Sequence, residues 1–117
     1  MGVDELRELL SRFLIRFGTE KTMQDDIEVI LESAGVSFER EYRLKPGPID
    51  YLVDGHIGLE CKVAGGNAEV FRQCRGYLAC TEVAELLIVT KRASHSQVPA
   101  TLGGKPVRVL WVAGSAL

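Results

Sequence analysis

The chain has no long apolar run. None approaches the ~20 residues that span a bilayer, so no membrane partner is expected and a cytoplasmic location is. The opening residues, MGVDELRELL, carry acids early and lack a basic region, so no secretory leader is expected. Cysteine is sparse: Cys61, Cys74 and Cys80 are an odd number without a C-x-x-C spacing. That argues against a disulfide framework or a zinc cage and for buried thiols in a reducing compartment. The two histidines, His56 and His95, stand apart in sequence, and neither reads as a metal ligand. No internal repeat or linker is visible. There is also no basic excess. Fourteen Lys and Arg against 16 Asp and Glu give a formal charge of −2, which removes the simplest argument for a nucleic-acid partner. It does not remove the partner itself, because acids that hold a divalent cation lower the same count. What remains is an ordinary globular composition, 46% apolar and 26% charged over 117 residues, enough for one domain with one core.

Apolar residues at Val3, Leu6, Leu9, Leu10, Phe13, Leu14 and Phe17 recur at helical spacing and predict a helix over roughly 3–17. Its stripe packs on the domain or forms a dimer seam. Thr19 is the expected N-cap of a second helix, about 20–34, ending at Gly35. On that helix Met23, Ile27, Ile30 and Leu31 form the apolar stripe. Glu20 falls inside the arc and Gln24 at its edge, while Asp25, Asp26, Glu28 and Glu32 fall outside. Strands are predicted over 38–44, 49–53 and 57–63, with a turn at Pro46-Gly47-Pro48. A helix over about 68–81 follows, with Asn67 as N-cap, then a buried strand over 86–90. Residues 91–105 read as loop and 107–112 as a last strand. The predicted class is α/β, a single domain over 1–117. It divides into an N-terminal amphipathic helix (1–18), a core (19–91), and a loop with the final strand (92–117).

The segment that carries chemistry is Pro48-Ile49-Asp50, nine residues, then Glu60-Cys61-Lys62. Alternate side chains of a strand share a face, so Glu60 and Lys62 point together, away from Leu59, Cys61 and Val63. Charges on an otherwise apolar strand are costly unless paired or bound to a metal. Asp50 and Glu60 supply the oxygen ligands that Mg²⁺ or Mn²⁺ requires. Lys62 can hold an attacking water and offset charge developing at a phosphate. The Asp54-Gly55 turn bears directly on this reading. A two-residue turn would pair Val53 with His56 and put Asp50 on the face away from Glu60. A three-residue loop, Asp54-Gly55-His56, pairs Asp50 with Glu60, and this longer loop or an equivalent bulge is expected.

Asp50, then Glu60-x-Lys62 on the next strand, with a helix before and after, resembles the PD-(D/E)XK nuclease superfamily over about residues 19–91. Gln73 and Tyr77, four apart on the following helix, resemble the Q-x-x-x-Y motif of RecB-like members. The resemblance implies a restriction-endonuclease-like αβββαβ core with a mixed central sheet flanked by helices, plus an extra N-terminal helix. It implies Asp50, Glu60 and Glu20 as metal ligands, and Asp50, Glu60, Lys62, Gln73 and Tyr77 as catalytic residues. Gln73 and Tyr77 would help position nucleic acid or the lysine. The function implied is a Mg²⁺-dependent hydrolase, an endonuclease cutting DNA, with Mn²⁺ as substitute. The alternative is a non-catalytic nucleic-acid-binding or assembly module that keeps the fold.

Three basic groups, Arg40 with Arg43 and Lys45, Arg72 with Arg75, and Lys91 with Arg92, are either solvated surface or the walls of a groove contacting phosphates. No base-reading motif is present, so any sequence specificity is expected from a protein partner. A homodimer through the N-terminal helix is the expected assembly, since one active site cuts one strand.

Overall fold

In the computed structural model residues 1–115 are described; the last two positions of the 92–117 segment lie outside the described residues. Helix α1 spans Val3–Ser11, with Asp4 and Glu5 in its first turn, where the helix dipole favours acids. Its stripe of Val3, Leu6 and Leu10 is buried in the domain's own core. The helix is therefore shorter than the 3–17 expected, and its stripe is not free to serve as a dimer seam. Past Ser11 the helical spacing does not match burial: Phe13 and Leu14 face solvent, and Ile15, outside that spacing, is buried from an irregular segment. Arg16 fixes that segment by donating its backbone N–H (2.8 Å) and its guanidinium (2.8 Å) to Asp26.

Helix α2, Glu20–Ser33, is capped by Thr19, whose hydroxyl accepts the Thr22 N–H at 3.1 Å. Gly35, in the left-handed region (φ 69°), follows its C-cap Ala34. Strands β1 (Phe38–Leu44), β2 (Gly47–Val53) and β3 (Ile57–Lys62) form an antiparallel meander. The β1–β2 turn is tighter than expected. Leu44 pairs with Gly47, so the turn is Lys45-Pro46, and Pro48 lies in the strand. Helix α3, Asn67–Leu78, starts at the N-cap Gly66 rather than at Asn67. Its C-terminal end is held by Lys105, whose ammonium donates to the carbonyls of Leu78 (2.8 Å), Cys80 (3.1 Å) and Val83 (2.6 Å).

Strand β4, Glu85–Thr90, runs parallel to β3, and β6, Lys105–Trp111, runs parallel to β4. The stretch read as loop contains a 3-10 turn, Ala93–Gln97, and a two-residue strand β5, Thr101–Leu102, antiparallel to β6. A last helical turn, α4, covers Val112–Ser115. The result is an α/β fold around one mixed six-stranded sheet, order β1-β2-β3-β4-β6-β5. On one face α1 and α2 pack on Tyr51, Val53, Ile57, Leu59, Cys61, Leu87 and Val89. On the other, α3 packs Val70, Cys74, Tyr77 and Leu78 on Leu52, Leu86, Ile88 and Val107. Among the described residues no helix is long and apolar enough to cross a membrane.

Gly58 is required by this packing. A Cβ there would stand 2.8 Å from Ile49 Cδ1 and 3.0 Å from Leu86 Cδ1. The glycine thus lets Ile49 and Leu86 close over β3, next to Glu60 in the same stripe.

Candidate active site

The β2–β3 hairpin determines whether the two carboxylates meet. Val53 pairs with Ile57 and Tyr51 with Leu59, so the loop is Asp54-Gly55-His56. Asp54 (φ 52°) and Gly55 (φ 76°) are both left-handed. The His56 N–H closes the turn onto the Val53 carbonyl at 3.2 Å, and the His56 carbonyl turns outward to accept the Ala84 N–H. His56 is the extra residue that shifts the parity, and Asp50 comes opposite Glu60.

The ladder ends at Tyr51–Leu59, one pair before the acids. Beyond it the carboxylates take the place of the missing backbone bonds. The Asp50 N–H donates to Glu60 Oε1 at 3.1 Å, and the Cys61 N–H donates to Asp50 Oδ2 at 2.7 Å. Strict alternation along β2 fails at the same place. Ile49 joins Leu52 on the α3 side although Tyr51 and Val53 face α2. Glu41, opposite Asp50 in the β1–β2 register, is left-handed at φ 54°. A non-glycine residue in that region in mid-strand is strained. The expectation of two acids on one regular face is thus replaced by two acids in the gap where β2 and β3 part.

Each carboxylate is held in place. Glu60 Oε2 accepts from the Tyr77 hydroxyl at 3.3 Å and lies 3.5 Å from Lys62 Nζ. Tyr77 also reaches the Pro48 carbonyl at 3.3 Å, so α3 contacts both strands of the gap. Glu60 and Lys62 are buried, and Asp50 is half-buried. Burial is the main cause that raises the Asp50 carboxyl above its usual range, while the Cys61 N–H and the Gln24 amide counteract it. Burial first, and then the Asp50 charge, push Glu60 up to about 7 against the opposing pull of Lys62. Glu20, half-buried at the start of α2, is raised mainly by burial and feels Lys62, Asp50 and Glu69. Lys62 thus acts against the upward shift of all three acids, and burial outweighs it.

Asp50, Glu60, Lys62 and Tyr77 are brought together as the sequence implied. Glu20 lies within electrostatic reach but makes no hydrogen bond to them. Gln73 sits on the same face of α3, and its Oε1 is buried without a hydrogen-bond partner among the described residues. Among the described residues no three His, Cys, Asp or Glu side chains form a metal-holding group. What the site offers is the pair of carboxylates of Asp50 and Glu60. That donor set is all hard oxygen and suits a small divalent cation, which commonly takes one or two carboxylates and completes its shell with water and phosphate oxygens.

Sequence reasoning missed Glu41, Glu69 and the role of Gln24. The first two are exposed acids whose charges reach Asp50 and Glu20 respectively. No period marks them, since their placement follows from the strained β1 and from the β3–α3 turn. Gln24 was placed only at the edge of the apolar arc; its carbonyl also accepts the Tyr51 hydroxyl at 3.0 Å. The basic residues divide. Arg40 is occupied by Gln24 (3.0 Å), Asp25 and Glu28 and lies over the Tyr51 ring, which withdraws it from phosphate contact. Arg75 stacks on Phe71, and Arg92 donates to the Gly65 carbonyl. Arg43, Lys45, Arg72 and Lys91 are exposed and make no side-chain ion pair among the described residues. Cys61 and Cys74 are buried thiols; burial raises both, Cys74 to about 11. Comparison with protein-family models, with curated proteins and with solved structures finds no match to this chain.

Proposed function

We propose that this chain is a divalent-metal-dependent deoxyribonuclease of the PD-(D/E)XK type, cutting DNA internally. The observation that carries the reading is the gap itself. Two carboxylates, Asp50 and Glu60, are raised chiefly by burial, Glu60 also by the charge of Asp50, at the point where the sheet opens, with Lys62 beside them. Such an arrangement costs stability that a bound cation or substrate would recover. The order α2-β1-β2-β3-α3-β4 and its mixed sheet are compatible with the restriction-endonuclease-like core.

Asp50 and Glu60 would hold Mg²⁺ or Mn²⁺, with Glu20 within reach of the same charge. Such an ion polarises a scissile phosphate and lowers the pKa of a bound water. The residues' own work is then distinct. The Cys61 N–H and the Asp50 N–H fix the two carboxylates. Tyr77 holds Glu60 from α3. Lys62, 3.5 Å from Glu60, would hold an incoming water and offset charge on the phosphate. Arg43, Lys45, Arg72 and Lys91 are the side chains free to meet the DNA backbone.

The competing reading is a nucleic-acid-binding module that keeps the fold. What favours it is that Glu60 already has partners in the Asp50 N–H, Tyr77 and Lys62. A cleavage panel separates the two. Linear, circular, single-stranded, flapped and four-way-junction DNA, with RNA as control, are incubated with Mg²⁺ or Mn²⁺. The nuclease reading expects nicking of circular DNA by wild type and none by Asp50→Ala or Lys62→Ala proteins that remain folded. Equal cleavage by Asp50→Ala refutes it. DNA binding without any Mn²⁺ binding in calorimetry favours the module.

A further inference from the structure

His95 reads in sequence as an isolated residue in a polar stretch, yet it is 0% exposed. Both ring nitrogens are committed. Nε2 lies 2.9 Å from the Gly65 carbonyl, an acceptor only, so Nε2 carries a proton. Nδ1 lies 2.7 Å from Thr90 Oγ1, which also accepts the Arg92 N–H at 3.0 Å. The imidazole therefore bridges the end of β4 to the turn that follows β3.

That turn borders the candidate site on both sides. Lys62 ends β3 opposite Thr90, and its carbonyl accepts the Lys91 N–H at 2.9 Å. Three residues on, Gly65 (φ 101°) presents its carbonyl to His95 from a backbone conformation that favours glycine. Glu69 Oε2 packs 3.6 Å from where a Gly65 Cβ would stand. Gly65-Gly66 is the most permissive pair in this part of the chain, yet α3, with Tyr77 and Gln73, starts from it. Its conformation must be held from outside. The ties available are His95, the exposed Arg92 guanidinium at 3.0 Å from the Gly65 carbonyl, and a long Asn67–Gln97 amide contact at 3.4 Å. Of the three, the His95 bond is the least exposed, because its ring is buried.

We propose that His95 is a positioning residue of this site: its Nε2–H holds the Gly65 carbonyl and so sets Lys62 against the start of α3. The kinetic part of the proposal rests on the nuclease reading; the positioning itself does not. A histidine that merely fills the core would act through stability alone. One that positions the turn acts specifically through the Gly65 bond.

Two substitutions divide the ring's bonds in the full-length protein. In His95→Gln the side-chain amide can reach Gly65 as Nε2 does. In His95→Asn the side-chain amide can bond to Thr90 in place of Nδ1, and the Gly65 bond is lost. Both variants leave some space in the core, so both lower Tm. The expected result is a kcat lowered about tenfold in His95→Asn with KM little changed, and a kcat close to wild type in His95→Gln. Hydrogen exchange of the amides of residues 63–67, measured without metal, should quicken about tenfold in His95→Asn and not in His95→Gln. Loss of activity in proportion to Tm in both variants, or unchanged exchange in His95→Asn, overturns the proposal. If wild type cleaves nothing, the nuclease reading fails, and the exchange comparison alone decides the role of His95.

Discussion

Replacing Glu60 by glutamine should stabilise the metal-free protein at alkaline pH. The carboxyl ordinarily titrates at 4.5, and in the fold it is pushed up to about 7. The native state therefore holds the Glu60 proton more tightly than the unfolded chain does. Stability from this group is fully present below pH 4.5 and is lost as pH rises to about 7. At about 1.36 kcal/mol per unit, the loss approaches roughly 3 kcal/mol. Asp50, raised in the same direction, adds to it. Glutamine keeps the shape and an oxygen for the Asp50 N–H, and removes the charge. It also leaves Lys62 without its nearest partner, which reduces the expected gain to roughly 1–3 kcal/mol at pH 8. That corresponds to a Tm higher by roughly 5–10 °C for a chain of this size. Thermal melts of both proteins in EDTA at pH 5 and pH 8 give the comparison, because other titrations largely cancel in the difference. Adding Mg²⁺ at pH 8 should raise the wild-type Tm and leave Glu60→Gln nearly unmoved, since the ion binds the ionised form. A variant less stable than wild type at pH 8, or a gap of equal size at pH 5, would refute the reasoning.

Lys105→Met should lower stability by about 1–3 kcal/mol, because three carbonyls at the end of α3 lose one donor; urea unfolding at neutral pH measures it. Gly58→Ala should cost about 1–3 kcal/mol through overlap with Ile49 and Leu86. Because Ile49 adjoins Asp50, that variant should also weaken Mn²⁺ binding in calorimetry. A Gly58→Ala protein as stable as wild type would show that β3 can shift away from its neighbours without strain.

Much of the fold is written in local pattern. Thr19 and Gly35 bracket α2, and the alternation of Leu59, Glu60, Cys61 and Lys62 sorts the two faces of β3 correctly. The hairpin loop is legible only through chemistry. Asp54-Gly55 by itself suggests a two-residue turn, and the need to bring Asp50 to Glu60 selects the three-residue one. Other features are not local. Helix α1 stops at Ser11 and the segment after it is tied through Arg16 to Asp26, ten residues on, which no spacing within the helix records. His95 lies in a polar stretch, and its burial depends on a carbonyl thirty residues earlier.

The failure of alternation at Ile49-Asp50 explains why the acids meet in a gap. In a regular antiparallel pair, Asp50 and Glu60 would stand side by side as a non-hydrogen-bonded pair, with the next ladder bonds joining Ile49 and Cys61. Here the Asp50 and Cys61 N–H groups are released from the ladder and donate to the carboxylates instead. Buried N–H groups demand partners, so the opening of the sheet and the placement of the acids are one event. The left-handed Glu41 bends β1 at the same level, and Gly58 gives Ile49 room on the α3 side. Ile49 and Gly58, which carry no reactive group, together with the backbone N–H of Cys61, thus determine where the charges sit. Charge-neutral substitutions at Ile49 or Gly58 should therefore disturb metal binding, while side-chain changes at exposed Asp4 or Glu8 should not.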